Sequence, residues 1–189
     1  MIETEAKVLL TYDQFNQLKR HFHIEDGTYL YQQNTYYDTV NETLKALQSA
    51  FRLRNFATSS EWTIKQSLNQ YDALEINQVN DHPIQPPKVL DIQWIHNPHI
   101  RHFFEEHHIN PEHLQLTYQI ETLRYWITTP YGKIALDESH YAGTTDYELE
   151  FEMIDLSKGL SFFEQLLNQF HIPNHPAPKK IARVAKAMT

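Results

Sequence analysis

The chain contains no cysteine, which excludes disulfides and thiolate metal sites. Glycine is scarce, with four in 189 residues. No glycine-rich phosphate loop or dinucleotide fingerprint can be assembled from so few. Any phosphate site must therefore use side-chain cations instead of backbone amides. No apolar run approaches the roughly 18 residues that a membrane span requires. The first residues lack a basic segment followed by an apolar one, so no secretory signal is expected and the chain reads as cytoplasmic. Basic residues are the minority, 16 against 24 acidic, for a net charge of -8. That balance argues against a general nucleic-acid binder. It leaves room for a small anionic ligand, because charge inside a pocket is independent of the net sum.

What is present is the composition of a soluble globular protein, 41% hydrophobic and 21% charged. One domain over 1–189 is the expectation. The opening residues 1–8 alternate as a strand. Thr11 and Gln14 form a potential capping box before a helix over about 12–22. Strands follow at about 28–39, 50–57, 61–67 and 73–79, with a short helical segment at 42–48. A proline-rich loop at 81–88 divides the chain nearly in half. A helical piece is expected near 89–95 and a helix over 100–109, ended by Asn110-Pro111. Long strands at 114–129, 133–141 and 147–154 are joined by turns at Pro130-Tyr131-Gly132 and Ala142-Gly143. Amphipathic spacing then predicts a helix from 157 to about 171. A second helix is expected from 179, after Pro173, Pro176 and Pro178.

Alternate strand positions carry charge: Glu3, Glu5 and Lys7; Arg52 and Arg54; Lys65; Asp137; Glu148, Glu150 and Glu152. The opposite positions are largely apolar. Alternation alone leaves two readings equally open. In one, a flat sheet wets its charged face. In the other, the sheet closes and its charges line the interior. Electrostatics favours the second. Glu148, Glu150 and Glu152 in line repel one another unless something positive lies between them. Mg²⁺ or Mn²⁺ is the natural candidate, since hard ions take carboxylate oxygens. Arg52, Arg54, Lys65 and Arg124 then call for an anion, which Arg holds bidentately and Lys as a point charge. Carboxylates, a divalent metal and several cations together make a polyphosphate site.

These residues carry a resemblance. Glu3-x-Glu5-x-Lys7 resembles the ExExK signature of the CYTH superfamily, also called the triphosphate tunnel metalloenzymes. Residues 33–39 resemble the strand before the family's basic motif, and Arg52-Leu53-Arg54 its RxR. Trp62-Thr63-Ile64-Lys65 resembles the strand with its lysine, and Glu121 to Trp126 its ExxR stretch. Leu136-Asp137, Tyr147-Glu148-Leu149-Glu150, and Lys180 with Arg183 resemble the later motifs. ExExK alone is weakly specific; the ordered set across nearly the whole chain is strongly so.

The resemblance implies an α+β fold: a closed antiparallel β-barrel or tunnel of about eight strands, with a charged lumen and helices outside. It implies metal binding by Glu3, Glu5, Asp137, Glu148, Glu150 and Glu152, with Glu148/Glu150 and Glu150/Glu152 both open as the metal pair. It implies phosphate binding by Lys7, Arg52, Arg54, Lys65, Arg124, Lys180 and Arg183. Glu3, Glu5, Lys7, Arg52, Arg54, Lys65 and Arg124 would serve catalysis. The implied activity is Mg²⁺- or Mn²⁺-dependent hydrolysis of inorganic triphosphate or a related small-molecule triphosphate. The composition leads us to expect no nucleic-acid or membrane partner, and the sequence leaves monomer and homodimer both open. Two alternatives stand beside it. One is an adenylate cyclase making cyclic AMP from ATP, and the other is a non-catalytic polyphosphate-binding module. No base-recognition pocket is identified in the sequence. The twelve His are expected at the surface and the aromatics mainly in strands and core. Glu75 is a further candidate lining residue.

Overall fold

A computed structural model describes residues 1–188. Its strands are β1 (Ile2–Leu10), β2 (Leu30–Asp38), β3 (Ser49–Asn55), β4 (Ser60–Ser67), β5 (Asp72–Asn80), β6 (Gln115–Thr129), β7 (Gly132–Tyr141) and β8 (Thr144–Met153). Its helices are α1 (Tyr12–His21), α2 (Thr43–Ala46), α3 (Pro98–Glu106), α4 (Leu156–Gln169) and α5 (Lys180–Ala187). The strand order β1-β5-β4-β3-β2-β6-β7-β8 closes as a barrel. Among the described residues, no helix is long and apolar enough to cross a membrane.

Contacts divide the chain into two compact units. The first holds Met1–Ile2 and Gln32–Ile120. In it, Phe51, Leu53, Trp62 and Ile64 point to one face of β3 and β4 and pack with Ile100, Phe103 and Phe104 of α3. The Phe51 and Trp62 rings stack at 5.1 Å, and Phe104 meets Phe51 edge-on at 5.2 Å. Burying each such side chain contributes about 1.5–3 kcal/mol. The proline-rich loop is pinned by side chains. Asn55 bonds both the carbonyl and the amide of Ile84, at 2.8 and 2.9 Å. Gln78 accepts from the amides of His96 and Asn97. The helical piece expected near 89–95 is a single 3₁₀ turn, Ile92–Trp94. Asn110 does not end α3, which stops at Glu106; it caps a separate 3₁₀ turn, Pro111–His113.

The second unit holds Glu3–Tyr31 and the chain from Glu121 onward. Two short turns fix its register. Ala142 and Gly143 both have positive φ, 45° and 72°, as a type I′ hairpin needs, so Tyr141 faces Thr144 and Asp137 faces Glu148. Pro130-Tyr131 sets Thr129 against Gly132 and therefore Arg124 against Asp137. A one-residue slip at either turn would flip every charge to the other face. Gly132 is required where it stands, because a Cβ there would lie 1.9 Å from the Glu152 carbonyl oxygen. The apolar face packs on α1 and α4: Phe15 meets Tyr147 and Tyr125, and Phe151 meets Phe162 and Phe163. The capping box of Thr11 and Gln14 is formed. The connector before α5 lies along β1, where the Ala177 amide donates to the Lys7 carbonyl at 3.0 Å.

Three helix ends share one device. After α1, α3 and α4 the chain reads Phe22-His23-Ile24, His107-His108-Ile109 and Phe170-His171-Ile172. Each middle histidine sits in the left-handed region, with φ of 52°, 53° and 52°. Each following Ile amide bonds back to the helix: Ile24 to Lys19, Ile109 to Phe104 and Ile172 to Leu167. These are Schellman endings with histidine where glycine is usual. Three of the twelve His are thereby explained as exposed helix terminators.

Candidate active site

In the second unit, cross-strand pairing builds a charged face row by row. Arg124, Asp137 and Glu148 align across β6, β7 and β8, and Lys7 pairs with Glu150 and Glu5 with Glu152 across β1 and β8. Asp137 is fully buried and accepts two bonds from Arg124, at 2.7 and 2.6 Å. The same guanidinium reaches Glu150 at 2.5 Å. Helix α5 adds two cations. Lys180 donates to Asp137 and stands 3.6 Å from Glu150. Arg183 donates to Glu148 and, at 2.8 Å, to Asp146. Lys7 bonds Glu5 at 2.7 Å and lies 3.9 Å from Glu150.

Burial and charge compete at each group. Burial would raise the carboxyls of Asp137 and Glu150, but Arg124 and Lys180 outweigh it and hold both ionised, Glu150 well below the usual range. Burial pushes Glu148 up to about 7, opposed by Lys180 and reinforced by Glu150. Burial also raises Glu152. Desolvation would lower Lys7, Lys180, Arg124 and Arg183, yet surrounding carboxylates raise all four: Glu150 first for Lys7, Asp137 for Lys180 and Arg124, and Glu148 for Arg183. All four remain cationic.

Seven carboxylates (Glu3, Glu5, Asp137, Asp146, Glu148, Glu150, Glu152) stand against four cations (Lys7, Arg124, Lys180, Arg183). Among the described residues, Glu148 Oε1 is buried with no cation or amide bonded to it, and the Glu148 and Glu150 side chains meet directly. An acidic surplus of hard oxygen donors, with two buried carboxyl groups in contact, suits a divalent cation. Among the described residues no three His, Cys, Asp or Glu converge as a ready metal cage. The carboxylates are engaged by the cations instead, so a metal would draw them from those partners.

The first unit carries the other predicted cations. Among the described residues, the acceptors of Arg52 Nη2 are distant, Thr63 at 3.4 Å and Glu61 at 3.9 Å, and its Nε is buried without a partner. A guanidinium held so loosely is ready for an anion. Arg54 Nε donates to Asn34 at 2.9 Å, and Lys65 lies 3.2 Å from Glu75, the further acidic candidate.

The structure thus brings Glu3, Glu5, Lys7, Arg124, Asp137, Glu148, Glu150, Glu152, Lys180 and Arg183 onto elements of one unit, and Arg52, Arg54 and Lys65 onto one face of another. The three late glutamates share a face. Asp146 was missed, although it lies two positions before Glu148 and continues the alternation. The expected strand began at Tyr147, whereas β8 begins at Thr144. Tyr141, whose hydroxyl donates to Asp146, gave no signal in the sequence.

Residues 1–185 match the family model described as the CYTH domain. A Bacillus subtilis (strain 168) protein, YjbK, provisionally named a triphosphatase, is 30% identical over 184 residues, covering 96% of this chain and 93% of that protein. A Bacillus halodurans structure, provisionally named an adenylate cyclase, superposes with a TM-score of 0.81 at 26% identity over 96% of both chains. HpAC1 from Hippeastrum, described as revealing a dominant triphosphatase activity, superposes at 0.73 over 98% of this chain and 95% of its own. Its identity of 18% makes that a likeness of fold. The ordered charged motifs, the closed barrel and these matches agree: the chain belongs to the CYTH domain family.

Proposed function

We propose that the chain is a divalent-metal-dependent phosphohydrolase that cleaves inorganic triphosphate or a related triphosphate compound, with Mg²⁺ or Mn²⁺ as cofactor. The observation that carries this reading is the carboxylate surplus around the buried Glu148 oxygen that no cation or amide bonds, threaded with buried cations. A pure anion binder gains nothing from seven carboxylates; a metal–polyphosphate site needs them. Glu3, Glu5, Asp137, Glu148, Glu150 and Glu152 would hold the metal. When bound, the ion supplies Lewis-acid polarisation of phosphoryl oxygens. Lys7, Lys180 and Arg183 would turn from carboxylates to phosphate oxygens, Arg124 would join them without leaving Asp137, and the family resemblance gives Arg52, Arg54 and Lys65 the same task. Arg124 enters that role already oriented by its two bonds to Asp137. Water attacks the terminal phosphorus, the bridging P–O bond breaks, and orthophosphate leaves; no covalent nucleophile is needed.

The deciding assay supplies inorganic triphosphate, ATP and thiamine triphosphate in parallel with Mg²⁺ or Mn²⁺. Orthophosphate release is expected. Pyrophosphate with cyclic AMP would establish a cyclase instead, and tight binding without any product a binding module. Glu5→Gln keeps the side chain's shape and removes its charge. It is expected to cut metal-dependent turnover by about 100-fold or more, with an unchanged circular dichroism spectrum. Global unfolding of that variant would give Glu5 a structural role only.

A further inference from the structure

The charged face of the second unit bears two large aromatic side chains among its described residues, Tyr141, which is buried and bonded to Asp146, and Trp126, which is open. Tyr125 and Ile127 point the other way, and Tyr125 is 5% exposed against Phe15 of α1. Trp126 points with Arg124 and stays 41% exposed. Its cross-strand partner is Ala135, whose methyl cannot cover an indole, and beyond Ala135 in the same row lies Glu150. The Arg124 guanidinium lies 4.9 Å from the Trp126 ring centroid, so the indole borders the most tightly bonded cation of the cluster. The core does not need this tryptophan: Trp62 and Phe151 fill their cores on the opposite faces, fully buried. An open indole beside a phosphate-binding arginine is instead suited to a ligand with charge at one end and a flat ring at the other.

We propose that Trp126 is a stacking platform for the aromatic ring of an organic triphosphate, such as a nucleobase, extending the substrates of this site beyond inorganic triphosphate. The proposal rests on the triphosphatase reading for the placement of the phosphates, and its test does not require turnover. The wild type, Trp126→Phe and Trp126→Leu are titrated with Mg²⁺ and either the non-hydrolysable imido analogue of ATP or inorganic triphosphate, followed by tryptophan fluorescence and calorimetry. The imido analogue is expected to quench a fluorescence component that both variants lack. Trp126→Leu is expected to weaken its binding by about 5- to 100-fold, the span of aromatic stacking, and to leave triphosphate binding within about twofold. Trp126→Phe restores most of the loss. Parallel weakening of both ligands would overturn the proposal, because Trp126 would then act only through Arg124. Unchanged binding in Trp126→Leu, or no binding of the analogue to the wild type, would overturn it too. If the analogue binds as expected while no triphosphate is hydrolysed, the triphosphatase reading fails and the platform stands.

Discussion

Asp137 accepts from Arg124 and Lys180 with no solvent to share the load, and the energetic value of that arrangement differs sharply from that of a surface pair. Asp137→Asn removes the fully buried one of the two charges that both cations face, leaving them Glu150 alone. It is expected to cost about 3–5 kcal/mol, because it strands buried charge. The Lys45–Glu42 pair is equally short, 2.7 Å, but both side chains are more than half exposed. Glu42→Gln is therefore expected to leave the urea midpoint essentially unchanged. Urea titrations of the two variants, with equal slopes, check the contrast. The charges themselves were legible in the sequence, since alternation assigned Asp137 and the three glutamates to one face. Their partners were not. That Lys180 faces Asp137, 43 residues earlier, depends on where α5 docks, which no local pattern encodes. Trp126 was hidden for another reason: tryptophan in a strand ordinarily signals core.

At the scale of the element, the endings of α1, α3 and α4 show what a glycine-poor chain does when a helix must stop. Histidine takes the left-handed position at a conformational cost, and the amide of the next isoleucine bonds back to the helix. This explains why the sequence suggested longer helices, to Ile109 and His171. The isoleucine continues the apolar spacing, and no glycine marks the break. His171→Gly is expected to stabilise the protein by about 0.5–1 kcal/mol, relieving strain at φ > 0. A matching rise in thermal midpoint for His108→Gly would confirm a shared device, and no gain at either would show the strain to be absorbed elsewhere. The hairpin turns, by contrast, were legible. Ala142-Gly143 and Pro130-Tyr131 marked the register that aligns Arg124, Asp137 and Glu148.

For the molecule as a whole, the acidic surplus predicts that the ligand-free protein carries unrelieved repulsion. On the proposed function, Mg²⁺ with a triphosphate ligand would bind only the folded state and add stability by mass action, about 2.7 kcal/mol at a hundredfold excess over Kd. A rise in Tm with Mg²⁺ and imidotriphosphate together, larger than with either alone and abolished by EDTA, is the expected result. Equal shifts for Mg²⁺ and for an inert salt at matched ionic strength would reduce the effect to screening. The pairing of β1 with β8, Glu5 beside Glu152 and Lys7 beside Glu150, also has a consequence in time. Those partners are 147 and 143 residues apart in a chain of 189, so their meeting closes a loop that local hairpins do not, and contacts of that separation form slowly. The hairpin of β7 and β8 can assemble early, with Glu148 and Glu150 already on one face, while Lys7, Lys180 and Arg183 still await docking of the first strand and last helix. Acquisition of the site is thus expected to lag behind acquisition of the sheet during refolding, and the site to be the last part of the protein to come into being.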